Sequence, residues 1–237
     1  MASGIDQIVA ALKATSASLA PRLDGEASAV QPFVTVARQA GTDGVGFARD
    51  LVRRLVERDG DDRWRTYDRD LVEEVSTRHE VSSRVVAALE DEGNNWLKPL
   101  LQPFIYPDRP SDLKLFHHVA GTILGIARAG HAVIVGRGGA FITRHLPGGV
   151  HVYLCAPFED RVKNMADRRG LDPAEAARVI REVDENRQRF YRSYFRDQAV
   201  GVEAFTITLN RARLERDALT GAAMSVIPGA KPAYATA

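Results

Sequence analysis

Phe33-Val-Thr-Val-Ala is a short apolar, β-branched run that gives way at once to Gln39-Ala-Gly-Thr-Asp-Gly-Val-Gly. Apolar residues then return at helical spacing as Phe47, Leu51, Val52, Leu55 and Val56. Strand, glycine-rich turn and helix in immediate succession narrow the folds open to a chain. The arrangement aims several backbone N–H groups and a helix N-terminus at one point, which suits a phosphate. The bland alternative is a glycine turn that merely closes a strand–helix unit.

The same alternation continues along the chain. His131-Ala-Val-Ile-Val-Gly-Arg-Gly-Gly reads as a second buried strand ending in a glycine turn, Val150-His-Val-Tyr-Leu-Cys-Ala-Pro as a third, and Ala204-Phe-Thr-Ile-Thr-Leu as the last. Asp68 closes a further short strand after Trp64. Helical patterns occupy 70–78, 82–90 and 111–129, the last closed by Gly130. Another runs from Phe158 to Arg169, stopped by Gly170, and Asp172-Pro-Ala-Glu is a capping box for a long arginine-rich helix toward Arg196. A final helix is expected from Arg213. The proline- and aromatic-rich stretch 93–110 reads as a long structured loop. Strands that are continuously apolar and separated by helices imply a parallel sheet covered on both faces. Ligands in such sheets bind beyond the carboxyl ends of the strands.

A chain of 237 residues, 45% apolar and 27% charged, buries a sizeable core. One domain over 31–220 is expected, with an N-terminal helical extension over 1–30 and a flexible tail over 221–237. The extension carries Ile5, Ile8, Val9 and Leu12 at helical spacing and leaves a contact with a second copy, a homo-oligomer, open. Lys plus Arg is 32 and Asp plus Glu is 31, so any anion site is local and net charge supplies no nucleic-acid surface. No window approaches the run of about 20 apolar residues that a membrane span needs. The first residues show no basic start followed by an apolar core, and the one cysteine, Cys155, has no intrachain partner, so a cytoplasmic location is expected. Within its apolar run Cys155 reads as an inert small hydrophobe.

The glycine loop departs from G-x-x-x-x-G-K-[ST] in an informative way. With Gly44 at the lysine position, Val45 falls on the Ser/Thr position, and Arg38 and Asp43 replace the two fixed glycines. Losing one preorganised donor to a transferring phosphoryl group costs about 3–4 kcal/mol of transition-state stabilisation. Arg38, at the start of the loop, is the nearest cation to substitute for the lysine.

Five blocks in order, Val34-Thr-Val-Ala-Arg-Gln-Ala-Gly-Thr-Asp-Gly, Tyr67-Asp-Arg-Asp-Leu-Val, Val133-Ile-Val-Gly-Arg-Gly-Gly-Ala, Val152-Tyr-Leu-Cys-Ala-Pro-Phe-Glu-Asp-Arg and Val183-Asp-Glu-Asn-Arg-Gln-Arg-Phe-Tyr, resemble the cytidylate kinase-like family of P-loop proteins. That resemblance implies an α/β, P-loop NTPase-type three-layer sandwich with a parallel sheet of about five strands and a helical lid. It implies ATP and Mg²⁺ as cofactors, with Gly41, Thr42, Asp43, Gly44, Val45 and Gly46 forming the ATP phosphate loop. A nucleoside monophosphate or related small phosphate acceptor would be held by Arg69, Arg137, Asp184, Arg187 and Arg192. Gly138 stands where the family's base-reading aspartate does and Ile180 where an arginine does, so cytosine preference is not implied. Arg38, Asp68 and Arg187 are the candidate catalytic groups.

From Arg161 to Glu185 acids and bases interleave, as on a solvated helix laced with i,i+4 pairs. Beyond it Arg187, Arg189, Arg192 and Arg196 face only Asp197, a pattern fit for clamping phosphate or for a solvated face. Phe190, Tyr191, Tyr194 and Phe195 among them also suit stacking of single-stranded nucleic acid, a reading the near-zero charge disfavours. The six histidines show no metal spacing, and no dedicated metal site is expected. Asp43 and Asp68 could assist Mg²⁺: a turn-stabilising role is the ordinary reading for Asp43, and Asp68, at the end of its strand, is the better candidate. Two functions follow: phosphoryl transfer from ATP, or a non-catalytic nucleotide-binding regulatory module with a degenerate loop.

Overall fold

The computed structural model describes residues 30–68, 111–136, 138–195 and 201–229. The expected helices over 70–78 and 82–90, the loop over 93–110 and all but the last residue of the helical extension over 1–30 lie outside the described residues, as do Arg69 and Arg137. In chain order the elements are β1 (Phe33–Arg38), α1 (Gly44–Asp59), β2 (Arg65–Tyr67), α2 (Ser111–Ala129), β3 (Ala132–Val135) and α3 (Gly139–Thr143). They continue with β4 (Gly149–Cys155), α4 (Phe158–Arg169), α5 (Pro173–Phe195), β5 (Ile207–Asn210) and α6 (Arg216–Met224), with a 3₁₀ turn at Val202–Ala204.

The strands form one five-stranded sheet in the order β2-β3-β1-β4-β5, every pair parallel. β1 is central, in register with β3 (Val36 opposite Val135) and with β4 (Arg38 opposite Leu154). Because side chains alternate along a strand, β1 feeds two cores. Phe33 with Ala132 and Ile134 packs against Ile123, Leu124 and Ile126 of α2 and Phe141 and Ile142 of α3. Val34 and Val36, with Val133, Val135, Val150 and Val152, pack against Phe47, Leu51 and Leu55 of α1 and Leu219 and Ala223 of α6. Burying each such large side chain contributes about 1.5–3 kcal/mol. These are the helix, sheet and helix layers expected of the three-layer sandwich. A third, small cluster of Ala40, Met165, Ala176 and Ile180 seats the α4–α5 hairpin against the loop after β1. Ile180, where the resemblance expects an arginine, is therefore a fully buried core residue.

Local signals behave as their chemistry requires. Gly60 ends α1 at φ 61° with its N–H on Val56 O, and Gly170 ends α4 at φ 64° with its N–H on Ala166 O. Asp172 Oδ1 accepts from the N–H groups of Ala174 and Glu175, capping α5. Four boundaries differ from expectation. His131 sits at φ 50° outside β3, and the five-residue α3 follows the glycine turn directly. The last strand begins at Ile207 rather than Ala204, because its ladder with β4 opens at the Val152–Ile207 pair, preceded by the 3₁₀ turn. α6 begins at Arg216, since Asn210 closes a turn that accepts from Ala212 and Arg213. Packing also continues past residue 220. α6 runs to Met224, Ile227 is 4% exposed against the α1 face, and Arg58 donates to the carbonyls of Ile227 and Pro228.

Candidate functional site

The site lies beyond the carboxyl end of β1. After Arg38 the chain turns through Gln39, Ala40, Gly41, Thr42 and Asp43 into α1. Gly41 has φ 86°, and a Cβ there would stand 2.7 Å from Arg161 O and 2.9 Å from Arg161 Cβ, so only glycine fits. Buried Thr42 donates its hydroxyl to Gln39 O at 2.9 Å, and Gln39 Oε1 accepts from Ala156 N at 3.0 Å. Asp43 is the left-handed N-cap of α1, its Oδ1 accepting from Gly46 N at 3.1 Å. The N–H groups of Gly44 and Val45, in the first helical turn, find no protein acceptor among the described residues. They remain for an anion at the positive end of the helix.

The α4–α5 hairpin is bonded directly to this loop. Asn164 Nδ2 donates to Gly41 O, and Arg168 pairs with Asp43. Arg161 Nη1 donates to Ala40 O at 3.2 Å and to Asp184 Oδ2 at 2.5 Å, while Asp184 Oδ1 accepts from Ala40 N at 2.8 Å. Arg187 Nη1 donates to Arg38 O at 2.9 Å and lies 3.6 Å from Asp184 Oδ1. Both Asp184 oxygens thus serve the loop and the adjoining guanidinium.

A cavity of about 260 Å³ opens beside these groups, lined by Arg38, Asn186, Arg187, Phe190 and Tyr191 with Val135, Gly138 and Val183. Among the described residues, two guanidinium groups border it and no carboxylate lines it. Burial lowers the pKa of Arg187 from its ordinary value, opposed by the Asp184 charge, and the charge of Arg161 works with burial. Burial raises that of the Tyr191 phenol, opposed by the Arg38 and Arg187 charges. Two guanidinium groups bordering one cavity, Arg187 among them desolvated, favour an anionic guest.

Of the residues expected from sequence, Arg38, Gly41, Thr42, Asp43, Gly44, Val45, Gly46, Asp184 and Arg187 lie together. Asp68 directly follows β2 at the carboxyl edge of the sheet, half-buried, one strand removed from β1 by β3. Arg192 is exposed on α5 and does not line the cavity. Val45 packs against the α1 core. Arg161, Asn164 and Arg168 escaped sequence reading as loop partners, because contacts across 121 to 125 positions leave no local pattern. Cys155 is half-buried, its Sγ 3.7 Å from Leu209 O. His151 and His131 are buried, the first bonded to Thr35 Oγ1 at 2.8 Å and the second paired with Asp61 at 3.2 Å. Among the described residues no group of three or more His, Cys, Asp or Glu side chains is placed to hold a metal ion, and no helix is long and apolar enough to cross a membrane.

A crystal structure of an uncharacterized protein from Eubacterium ventriosum ATCC 27560 superposes with a TM-score of 0.62 at 17% identity, covering 83% of this chain and 98% of that one. It shares the fold. A crystal structure of shikimate kinase from Bacteroides thetaiotaomicron covers 82% of this chain and 95% of that one at 14% identity, with a TM-score of 0.39, too loose a likeness to carry an argument. No curated protein matches the sequence. The cytidylate kinase-like family model matches residues 33–213, taking in every strand and the loop, and the chain belongs to that kinase-like, nucleotide-binding family.

Proposed function

We propose that the chain transfers the γ-phosphoryl group of ATP to a nucleoside monophosphate, cytidylate-like, or to a related small phosphate acceptor. The observation that carries this reading is the cavity bordered by Arg38 and Arg187, with no carboxylate among its described lining residues, reached by the Arg38 side chain that lies over Gly44 in the open first turn of α1. Gly41, Thr42, Asp43, Gly44, Val45 and Gly46 would wrap the phosphates of ATP. Arg187, with Arg69 and Arg137, would hold the acceptor, and Asp68 and Arg38 would face the reacting groups; Arg192, exposed on α5 outside the cavity, falls out of that set. Asp184, bonded to the Ala40 N–H and to Arg161, would act by holding the loop.

The loop fits the phosphates of ATP through its backbone donors. It offers Mg²⁺ little at the usual position, since Val45 has no hydroxyl. Asp68 is the carboxylate we assign to the ion, which when bound to ATP neutralises charge on the β- and γ-phosphates. The protein's own part is positioning and electrostatics, since phosphoryl transfer asks little covalent chemistry of it. The cytoplasm, where ATP is abundant, is the proposed location.

One observation favours the non-catalytic reading. The Asp43 carboxylate stands at the helix N-terminus and is paired with Arg168, where an incoming phosphate must share its space. Incubation with Mg-ATP and each nucleoside monophosphate, followed by chromatography, decides between the two. A diphosphate product from one acceptor is expected. No product from any acceptor, with thermal stabilisation by ATP retained, would leave the regulatory module as the function.

A further inference from the structure

Gly44 occupies the position at which a lysine-bearing loop carries its cation, and the Arg38 side chain lies over it. A Cβ on Gly44 would stand 3.0 Å from Arg38 Cγ, 3.2 Å from Cδ and 3.4 Å from Nε. The far end of the same side chain meets a second glycine. A Cβ on Gly136 would fall 2.0 Å from Arg38 Nη1 and 3.0 Å from Cζ. Since β1 and β3 are neighbours in register, Arg38 leaves the end of one strand, crosses the bare backbone of α1's first residue, and ends against the bare backbone of the turn after the other. Any side chain at 136 would exclude the guanidinium from where it lies. Its head then borders the cavity shared with Arg187.

We propose that Arg38 supplies, from the strand, the positive charge the loop lacks at position 44, with Gly44 and Gly136 forming the slot that lets it through. This deepens the kinase reading and rests on it. The guanidinium stands between α1's first turn, where the donor phosphates bind, and the cavity, where the acceptor binds. In the reaction an oxygen of the acceptor phosphate dianion forms a new P–O bond to the γ-phosphorus as the bond from that phosphorus to the bridging oxygen of ADP breaks. No proton has to move. Negative charge builds on the transferred group, and Arg38, always protonated and presenting a planar fork of donors, takes it up. A glycine in place of the lysine is then part of the device, because even a Cβ at 44 would crowd the arginine stem.

Full-length wild type, Arg38→Ala, Gly44→Ala and the double variant are compared. Calorimetry measures Mg-ATP and AMP affinity, and rapid-quench single turnover measures transfer. Gly44 has no positive φ, so alanine there strains no backbone and acts through Arg38. Arg38→Ala is expected to lower transfer about 10²- to 10³-fold and to weaken ATP on the order of tenfold more than AMP. Gly44→Ala is expected to reproduce part of both losses in the wild-type background and to add nothing beyond about twofold in the Arg38→Ala background, as coupled neighbours do. Should Arg38→Ala not fold, Arg38→Gln, which keeps the stem over Gly44, takes its place. An ATP-to-AMP affinity ratio unchanged by loss of the arginine overturns the proposal, as do equal effects of Gly44→Ala in both backgrounds. If the wild type binds ATP but makes no product, the kinase reading falls and the affinity ratio alone decides the role of Arg38. If it binds no ATP, both fall.

Discussion

Asp43 adopts φ 56°, a conformation aspartate tolerates better than most residues, and from it the carboxylate reaches back to Gly46 N and out to Arg168. Its negative charge opposes the site it caps. Asp43→Asn keeps the cap and removes the charge, and it also frees Arg168. Calorimetry should show several-fold tighter ATP binding, about 1 kcal/mol, with the melting temperature nearly unchanged. Weaker binding would mean the carboxylate contributes to the site rather than competing with it. Gly41 is the opposite case, a residue chosen by space. Gly41→Ala faces both the left-handed backbone and the Arg161 carbonyl, and urea unfolding should show a loss of about 2 kcal/mol or more.

At the scale of elements, the hairpin of α4 and α5 and the loop after β1 form one bonded unit. Its centre is the Arg161–Asp184 pair. Arg161 is 8% exposed, and its Nε has no acceptor, so the ion pair and the Ala40 carbonyl carry its charge compensation. Removing Asp184 leaves a buried guanidinium uncompensated; for a fully buried pair this costs about 3–5 kcal/mol, and half-buried Asp184 puts the cost at the low end. Asp184→Ala should therefore lower stability by roughly 3 kcal/mol in denaturant titrations. It should also weaken ATP binding with no acceptor present. A residue that only touched an acceptor sugar would leave both values where they were. The outer face of α5 follows the ordinary surface rule: Arg178 and Glu182, 3.6 Å apart and both exposed, add a few tenths of a kcal/mol at most.

For the molecule as a whole, two buried histidines of the sheet region, His131 and His151, are expected to contribute acid sensitivity. Burial pushes His151 from 6.5 to about 4, beneath its bond to Thr35. Burial, with the charge of Arg63, also lowers His131 from its ordinary value, opposed by Asp61. A depressed histidine pKa means the unfolded chain binds the proton first. Stability is then complete above about pH 7 and is lost as pH falls from 6.5 toward 4, about 3 kcal/mol for a shift of this size. Asp61, held at about 2 chiefly by its hydrogen bonds to Arg63, contributes to acid loss only below its ordinary 3.8. Urea unfolding at pH 7.5 and 4.5 should show a pH-dependent loss for His151→Gln that is smaller than wild type by about 2–3 kcal/mol. An identical loss in the variant would place the sensitivity elsewhere, His131 being the next group to test.

Local chemistry determined the elements and their kind. The apolar run of β1, the glycines that stop α1 and α4 and the Asp172 cap act through neighbours a few residues away, so strand, loop and helix were legible in order. The five motif blocks made the family and the parallel sheet legible too. Tertiary structure alone decided which charged groups meet. Asp184 reaches Ala40 across 144 positions, and Arg187 reaches Arg38 across 149, distances over which no periodicity survives. The same limit applies to Gly44. From sequence its meaning was a missing lysine. Once β1 and β3 are set side by side, it becomes the space through which Arg38 passes.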